Sequence, residues 1–155
     1  MKSSPSSLIR RAMATDAHAI QVLYAELVGD PLVSVLPEQI AMMAASTNSL
    51  LLVACQEGCV HGTALLTICP DVMYRQQPFG VIENMVVGKE MRGRGLGLLL
   101  MNHLERFAAS RDCSKLMLLS SGHRQQAHAF FQRSGFSGDN KRGFVKYRSQ
   151  FSPES

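Results

Sequence analysis

Apolar positions along the chain change their spacing several times, and each change marks an element. Leu8 to Ala12 reads as a short edge strand. Beyond it, Ile20, Leu23, Tyr24 and Leu27 fall on one face of a helix that Thr15 can cap and that runs to about Val28. Gly29-Asp30-Pro31 breaks it, and a second helix is expected from Pro37, a residue suited to a first turn, to Thr47-Asn48. Leu50 to Cys55 and Cys59 to Cys69 read as strands joined by a turn at Glu57-Gly58. After a loop from Pro70 to Pro78 come a central strand, Val81 to Val87, and a helix from Leu98 to Ser110. Leu116 to Leu119 follows as a buried strand, Gln125 to Ser134 as a late helix and Gly143 to Tyr147 as a final strand.

Hairpin strands first, then alternating strand and helix, predict a mixed α/β sheet. No repeat or low-complexity tract interrupts the order, so residues 8–148 are expected to form one domain between a disordered leader, 1–7, and a tail, 149–155. The length of 155 residues suits one domain with a sizeable core, and 46% apolar against 18% charged residues argues against wider disorder. No apolar stretch approaches the roughly 20 residues that span a bilayer, and the leader lacks the apolar run of a signal peptide. Cys55, Cys59, Cys69 and Cys113 have neither metal-ligand spacing nor a disulfide framework, and three of them fall inside apolar runs. Reduced thiols in a cytoplasmic protein without a bound metal are therefore expected. The net charge of +4 gathers late, at Arg133, Lys141, Arg142, Lys146 and Arg148. Without tryptophan or interleaved aromatic and basic residues it makes no base-stacking platform, so nucleic acid is not expected as a partner, and without a spanning stretch neither is a membrane.

The candidate chemistry lies where the central strand meets its helix, at Arg92-Gly93-Arg94-Gly95-Leu96-Gly97. Glycines let a backbone approach an anion and turn with φ > 0. A new helix offers unpaired N–H groups and the positive end of its dipole, and arginines add forked donors for phosphate oxygens. The strand–glycine turn–helix order therefore reads as a pyrophosphate holder. It is not a nucleotide-triphosphate loop, because no lysine follows Gly97. Nor is it a dinucleotide fingerprint, because Leu98 stands where the third glycine would be.

Arg-x-x-Gly-x-Gly at 92–97 instead resembles the acetyl-coenzyme A loop of the GNAT superfamily of N-acetyltransferases. Three further stretches extend the resemblance over residues 8–148: the opening Ile9-Arg10-Arg11-Ala12 with Thr15-Asp16, the strand ending Met85-Val86-Val87, and the run from Ala127 to Phe136. It implies a mixed, mostly antiparallel central sheet flanked by helices and splayed at a bulge, where Met85, Val86 and Val87 pair with the pantetheine arm. It also implies acetyl-coenzyme A as cosubstrate, held by Arg92, Gly93, Arg94, Gly95, Leu96 and Gly97 with Arg124 and Phe131 near its arm. The acceptor it implies is a primary amine, small or on a peptide, attacking directly in a ternary complex. A homodimer is left open.

Such a transfer needs a neutral amine, donors for the developing oxyanion and a route for the thiolate to leave. Glu83 lies where relatives carry a general base and would act directly or through water. An isolated carboxylate in an apolar strand is costly to bury, which favours a polar or catalytic use. A backbone N–H near Val86 or Val87 can polarise the thioester carbonyl. Phe131 departs from the family, which usually has a tyrosine there as proton donor. Tyr147, Tyr74, His123 and water remain as donors, or the thiolate leaves unassisted, while His128, inside the late helix, reads as structural. The same departure supports an alternative, a non-catalytic acyl-coenzyme A-binding or sensing module.

Overall fold

A computed structural model of the chain describes residues 6–153, so the leader up to Pro5 and the last two residues of the tail lie outside the described part. The chain falls into two compact units, the first ending at Leu118 and the second beginning at Leu119.

The first unit is built on a five-stranded sheet in the order β1 (Ser7–Arg11), β2 (Ser49–Gln56), β3 (Cys59–Cys69), β4 (Phe79–Val87), β5 (Leu116–Leu118). The first three pairings are antiparallel and β4–β5 is parallel, so the sheet is mixed and mostly antiparallel, as expected. Helices α1 (Ala17–Val28) and α2 (Pro37–Ala44) lie against it, as does α3 (Leu96–Ser110). Cross-strand partners share a face of a sheet, and successive residues alternate between faces. Val53 packs with Ile20 and Ile40, so its face is the one covered by α1 and α2. Arg10 pairs with Val53 and Arg11 with Leu52, and Phe107 of α3 meets Arg11 with 5.7 Å between guanidinium carbon and ring centre. α3 therefore covers the opposite face. Its buried stripe Leu96, Leu100, Met101, Leu104 and Ala108 recurs at helical spacing. Each large side chain so buried contributes about 1.5–3 kcal/mol.

The entry to α1 differs from the sequence reading. A short 3₁₀ turn, Ala14–Asp16, precedes the helix, and Asp16 rather than Thr15 organises it. The buried Asp16 carboxylate accepts the Met13 N–H at 2.7 Å and both ends of the Arg10 guanidinium at 2.8 and 3.0 Å. The guanidinium is the largest influence and holds the Asp16 carboxyl below its ordinary range, with the Met13 N–H adding to it against burial. A depressed carboxylate stabilises the fold above its unfolded value of about 3.9 and loses that contribution as pH falls through the folded value. Asp16→Asn is therefore expected to cost about 2 kcal/mol at neutral pH. The gap to the parent chain should close in acid, below about pH 4. Urea unfolding at pH 7 and pH 3 measures both.

Helix α2 ends at Ala44, short of Thr47-Asn48, and α3 starts at Leu96 rather than Leu98. Strand β1 takes in Ser7, and Arg148–Gln150 forms a 3₁₀ turn.

The second unit carries α4 (Gln125–Arg133) and a long irregular segment. Phe131 is buried between Phe130 and Phe136, with ring centres 5.6 and 6.2 Å away. The expected final strand at Gly143–Tyr147 does not form: these residues are exposed and carry no strand pairing. Gly143 instead lies so close to the Leu119 side chain that a Cβ would collide with it. With lysine and arginine at 141, 142, 146 and 148, the apolar residues Phe144 and Val145 are too few to define one buried face.

Candidate active site

Strand β4 carries an irregularity where the site is expected. Thr63 pairs with Val86 and Leu65 with Glu83, so Ala64 faces two residues, Asn84 and Met85. This is a β-bulge, and Asn84 takes the left-handed conformation it needs, φ 54°. Asparagine tolerates that region better than most residues because its short amide can bond locally. β4 pairs with β5 only from Gly80 to Ile82, and β5 ends at Leu118. From Glu83 to Val87 the β5 side of β4 therefore has no strand partner among the described residues. A strand edge without a strand partner can pair with another extended chain.

Glu83 shares its face with Leu65, and hence with Thr63 and Val53, which places it on the side covered by α1 and α2. Its side chain is exposed, which corrects the reading that burial forces a polar use on it. Glu83 lies just past the last residue of β4 that pairs with β5, Ile82, and just before the bulge. Met85 and Val87 are half-buried and Val86 is buried.

Past Val87 the chain forms a 3₁₀ turn, Lys89–Met91, and then the glycine turn. Gly93 and Gly95 have φ of 76° and 85°, a region that side chains with a Cβ seldom enter. Gly95 is the N-cap of α3, contributes no side-chain cap, and no acidic residue occupies the first turn. Leu99 makes the first helical bond, to the Gly95 carbonyl at 3.1 Å. The N–H groups of Gly93, Arg94, Gly95, Leu96, Gly97 and Leu98 bond to no described residue. A run of unpaired amides at a helix start is an anion cradle.

The two arginines of the turn differ. Arg94 is exposed and makes no hydrogen bond or ion pair with a described residue. Arg92 is turned back on the protein: its Nε donates to the Val87 carbonyl at 3.0 Å, and its guanidinium lies 3.4 Å from the Glu26 carboxylate. Glu26 also accepts the Lys89 N–H at 2.9 Å. Arg92 and Glu26 thus tie the turn to the end of β4 and to α1, and Arg94 is the cation left for a ligand. Sequence reasoning missed Glu26, since 63 residues separate it from Lys89.

It also missed Tyr24, which stood out only as part of the apolar face of α1. The Tyr24 phenol is pushed up by burial and pulled partly back by the Asn84 side chain at the bulge. It therefore stays protonated through the neutral range. The one sequence signal available was that a buried tyrosine needs a partner for its hydroxyl.

Of the remaining donors, Tyr74 and Tyr147 are 66% and 70% exposed. Arg124 is the N-cap residue of α4. His128 lies 2.9 Å, through Nε2, from the Ser121 carbonyl, whereas His123 is exposed. All four cysteines are free; Cys55 is buried, but Cys59 is exposed, and burial pushes the Cys113 thiol up, away from the reactive thiolate. Among the described residues no helix is long and apolar enough to cross a membrane, and no cluster could hold a metal ion.

Comparison with known proteins identifies the family. The family model for the acetyltransferase (GNAT) family matches residues 20–136. The chain belongs to this family. Its sequence is similar to the glucosamine 6-phosphate N-acetyltransferase of Trypanosoma brucei brucei, 34% identical over 79 residues. That match spans 51% of this chain and 52% of that protein, about half of each. Its structure is similar to that of a proposed acetyltransferase from Agrobacterium tumefaciens str. C58, with a TM-score of 0.82 and 32% identity over 91% of this chain and 99% of that one. It also shares its fold with the aminoglycoside N-acetyltransferase AAC(6')-Iy in complex with CoA, with a TM-score of 0.80 and 17% identity over 96% of this chain and 99% of that one. The protein is thus an acyltransferase of the GNAT type, in a family that generally uses acetyl-coenzyme A.

Proposed function

We propose that the protein transfers the acetyl group of acetyl-coenzyme A to a primary amine on a small hydroxylated acceptor, by direct attack in a ternary complex. The observation that carries this reading is the continuity of the open β4 edge with the unpaired amides of residues 93–98. A pantetheine arm pairs along the strand like an added chain, and the pyrophosphate at its other end meets the helix start and Arg94.

In this scheme the amine nitrogen attacks the thioester carbon, the new C–N bond forms, and the electron pair of the C–S bond leaves on sulfur. An N–H of Val86 or Val87 stabilises the oxyanion. Glu83 takes the amine proton through water, since its exposed carboxylate leaves room for one. The proton that the thiolate gains comes from Tyr24, which serves in place of the tyrosine absent at Phe131. Glucosamine 6-phosphate, the substrate in the trypanosomal relative's name, is the first acceptor to test. Glu83, Asn84 and Tyr24 offer a carboxylate, an amide and a hydroxyl to such a polar molecule. Initial rates with both substrates varied should give intersecting double-reciprocal lines. Parallel lines would mean a covalent acetyl-enzyme and would overturn direct attack.

Tyr24→Phe keeps the packing and removes the hydroxyl. It is expected to lower kcat about tenfold while the KM for acetyl-coenzyme A stays unchanged, because a proton donor acts on the departing thiolate and not on ground-state binding. A rise in KM with kcat intact would place Tyr24 in binding instead.

A further inference from the structure

On the face of the sheet away from Glu83, strands β1 and β2 and the C-terminal half of α3 border a cavity of about 410 Å³. Its floor is apolar, made by Ile9, Leu50, Leu52 and Phe107, and its polar side chains are Arg11, His103 and Arg106. Arg10 also borders it, but its guanidinium is paired with Asp16. Among the described residues the other cations have no such partner. Arg11 meets only the Phe107 ring, at 5.7 Å, and Arg106 lies 3.1 and 3.4 Å from the two ring nitrogens of His103. His103 Nδ1 sits 3.0 Å from the Leu99 carbonyl, a position for a ring N–H, so the Arg106 guanidinium has only Nε2 to donate to. The two ion pairs among the described residues, Arg10–Asp16 and Arg92–Glu26, are elsewhere. The carbonyls of Phe107, Ala108 and Ala109 near the end of α3 are taken up by the Ser110 hydroxyl and the N–H groups of Arg111, Asp112 and Cys113.

Guanidiniums gathered at one cavity without a carboxylate repel each other and attract an anion. We propose that the cavity binds a small organic monocarboxylate, its apolar body on the floor and its carboxylate between Arg11 and Arg106. The planar fork of arginine matches a carboxylate, and the apolar floor has no use for a bare inorganic anion. A phosphate is better served by unpaired helix-start amides, and those of α3 lie at its other end. The volume is within the range of small-molecule sites and too small for a folded partner. This site stands apart from the acetyl-transfer reading and does not depend on it.

Calorimetric titration of the whole protein with octanoate, with octanol and inorganic phosphate as comparison probes, tests it. Saturable one-to-one binding of octanoate alone is expected. Arg11→Gln and Arg106→Gln should each weaken it by about tenfold, the loss of one charge-assisted hydrogen bond. Neither should alter acetyl-coenzyme A binding, which also reports that the variants are folded. Octanol or phosphate binding as tightly as octanoate would overturn the proposal, as would equal affinity in both variants or no saturable binding at all. Displacement of octanoate by acetyl-coenzyme A would overturn it too, by placing the probe on the coenzyme's surface.

Discussion

Gly95→Asp is expected to abolish measurable acetyl-coenzyme A binding, with an affinity loss of about 100-fold or more, roughly 2.7 kcal/mol. The residue is the N-cap of α3 and stands among the unpaired amides of the turn. A carboxylate there would compete for those N–H groups and repel the pyrophosphate, and one unit charge against another at ~4 Å is worth a few kcal/mol near a protein surface. The fold should survive, because a Cβ at Gly95 meets nothing within 4 Å. The φ of 85° does strain any side chain, so Gly95→Asn serves as the comparison. Asparagine carries the same strain without the charge and should lose no more than about tenfold. Calorimetry on both variants separates the causes. Equal losses would mean strain alone, and no loss would remove the turn from the coenzyme site.

Glu83→Gln is expected to lower kcat by about 100-fold at neutral pH, the lower end of what general-base catalysis contributes. The deficit should shrink as pH rises toward the acceptor amine's own pKa, where the nucleophile is already neutral. The exposure of Glu83 makes this a direct test, since the change to glutamine leaves no buried carboxylate partner unpaired. A deficit that is the same at every pH would make Glu83 a binding residue for the acceptor, and no deficit would leave the base to water.

The parts of the fold and site that were legible in the sequence are those set by local rules. Glycine at 93 and 95 foretells positive φ, a β-branched run foretells β4, and the apolar run opening at Leu98 foretells α3. The start of α3 was misplaced because Gly97 reads as turn, although glycine inside a first helical turn costs only about 1 kcal/mol. Thr15 and Asp16 are both good caps, and only the position of Arg10 across the turn decides for Asp16. Glu83 looked buried because its neighbours are apolar, and neither the bulge at Asn84 nor the end of the β5 pairing at Ile82 can be read from that pattern. Arg92 was expected to face a phosphate, and its engagement with Val87 and Glu26 is a long-range fact. Tyr24 and Asn84 meet across 60 residues, a distance over which helical spacing says nothing. The segment at 143–147 failed for a different reason: a strand needs a partner edge, and a short run of apolar residues does not supply one.

The central claim is amine-dependent acetyl transfer at the open edge of β4, and thiol release from acetyl-coenzyme A across a panel of amines tests it most directly. The expected result is release that depends on the amine, starting with glucosamine 6-phosphate, with one acetylated amine formed per free thiol. Tight binding of acetyl-coenzyme A with no amine-dependent release across the panel would contradict it.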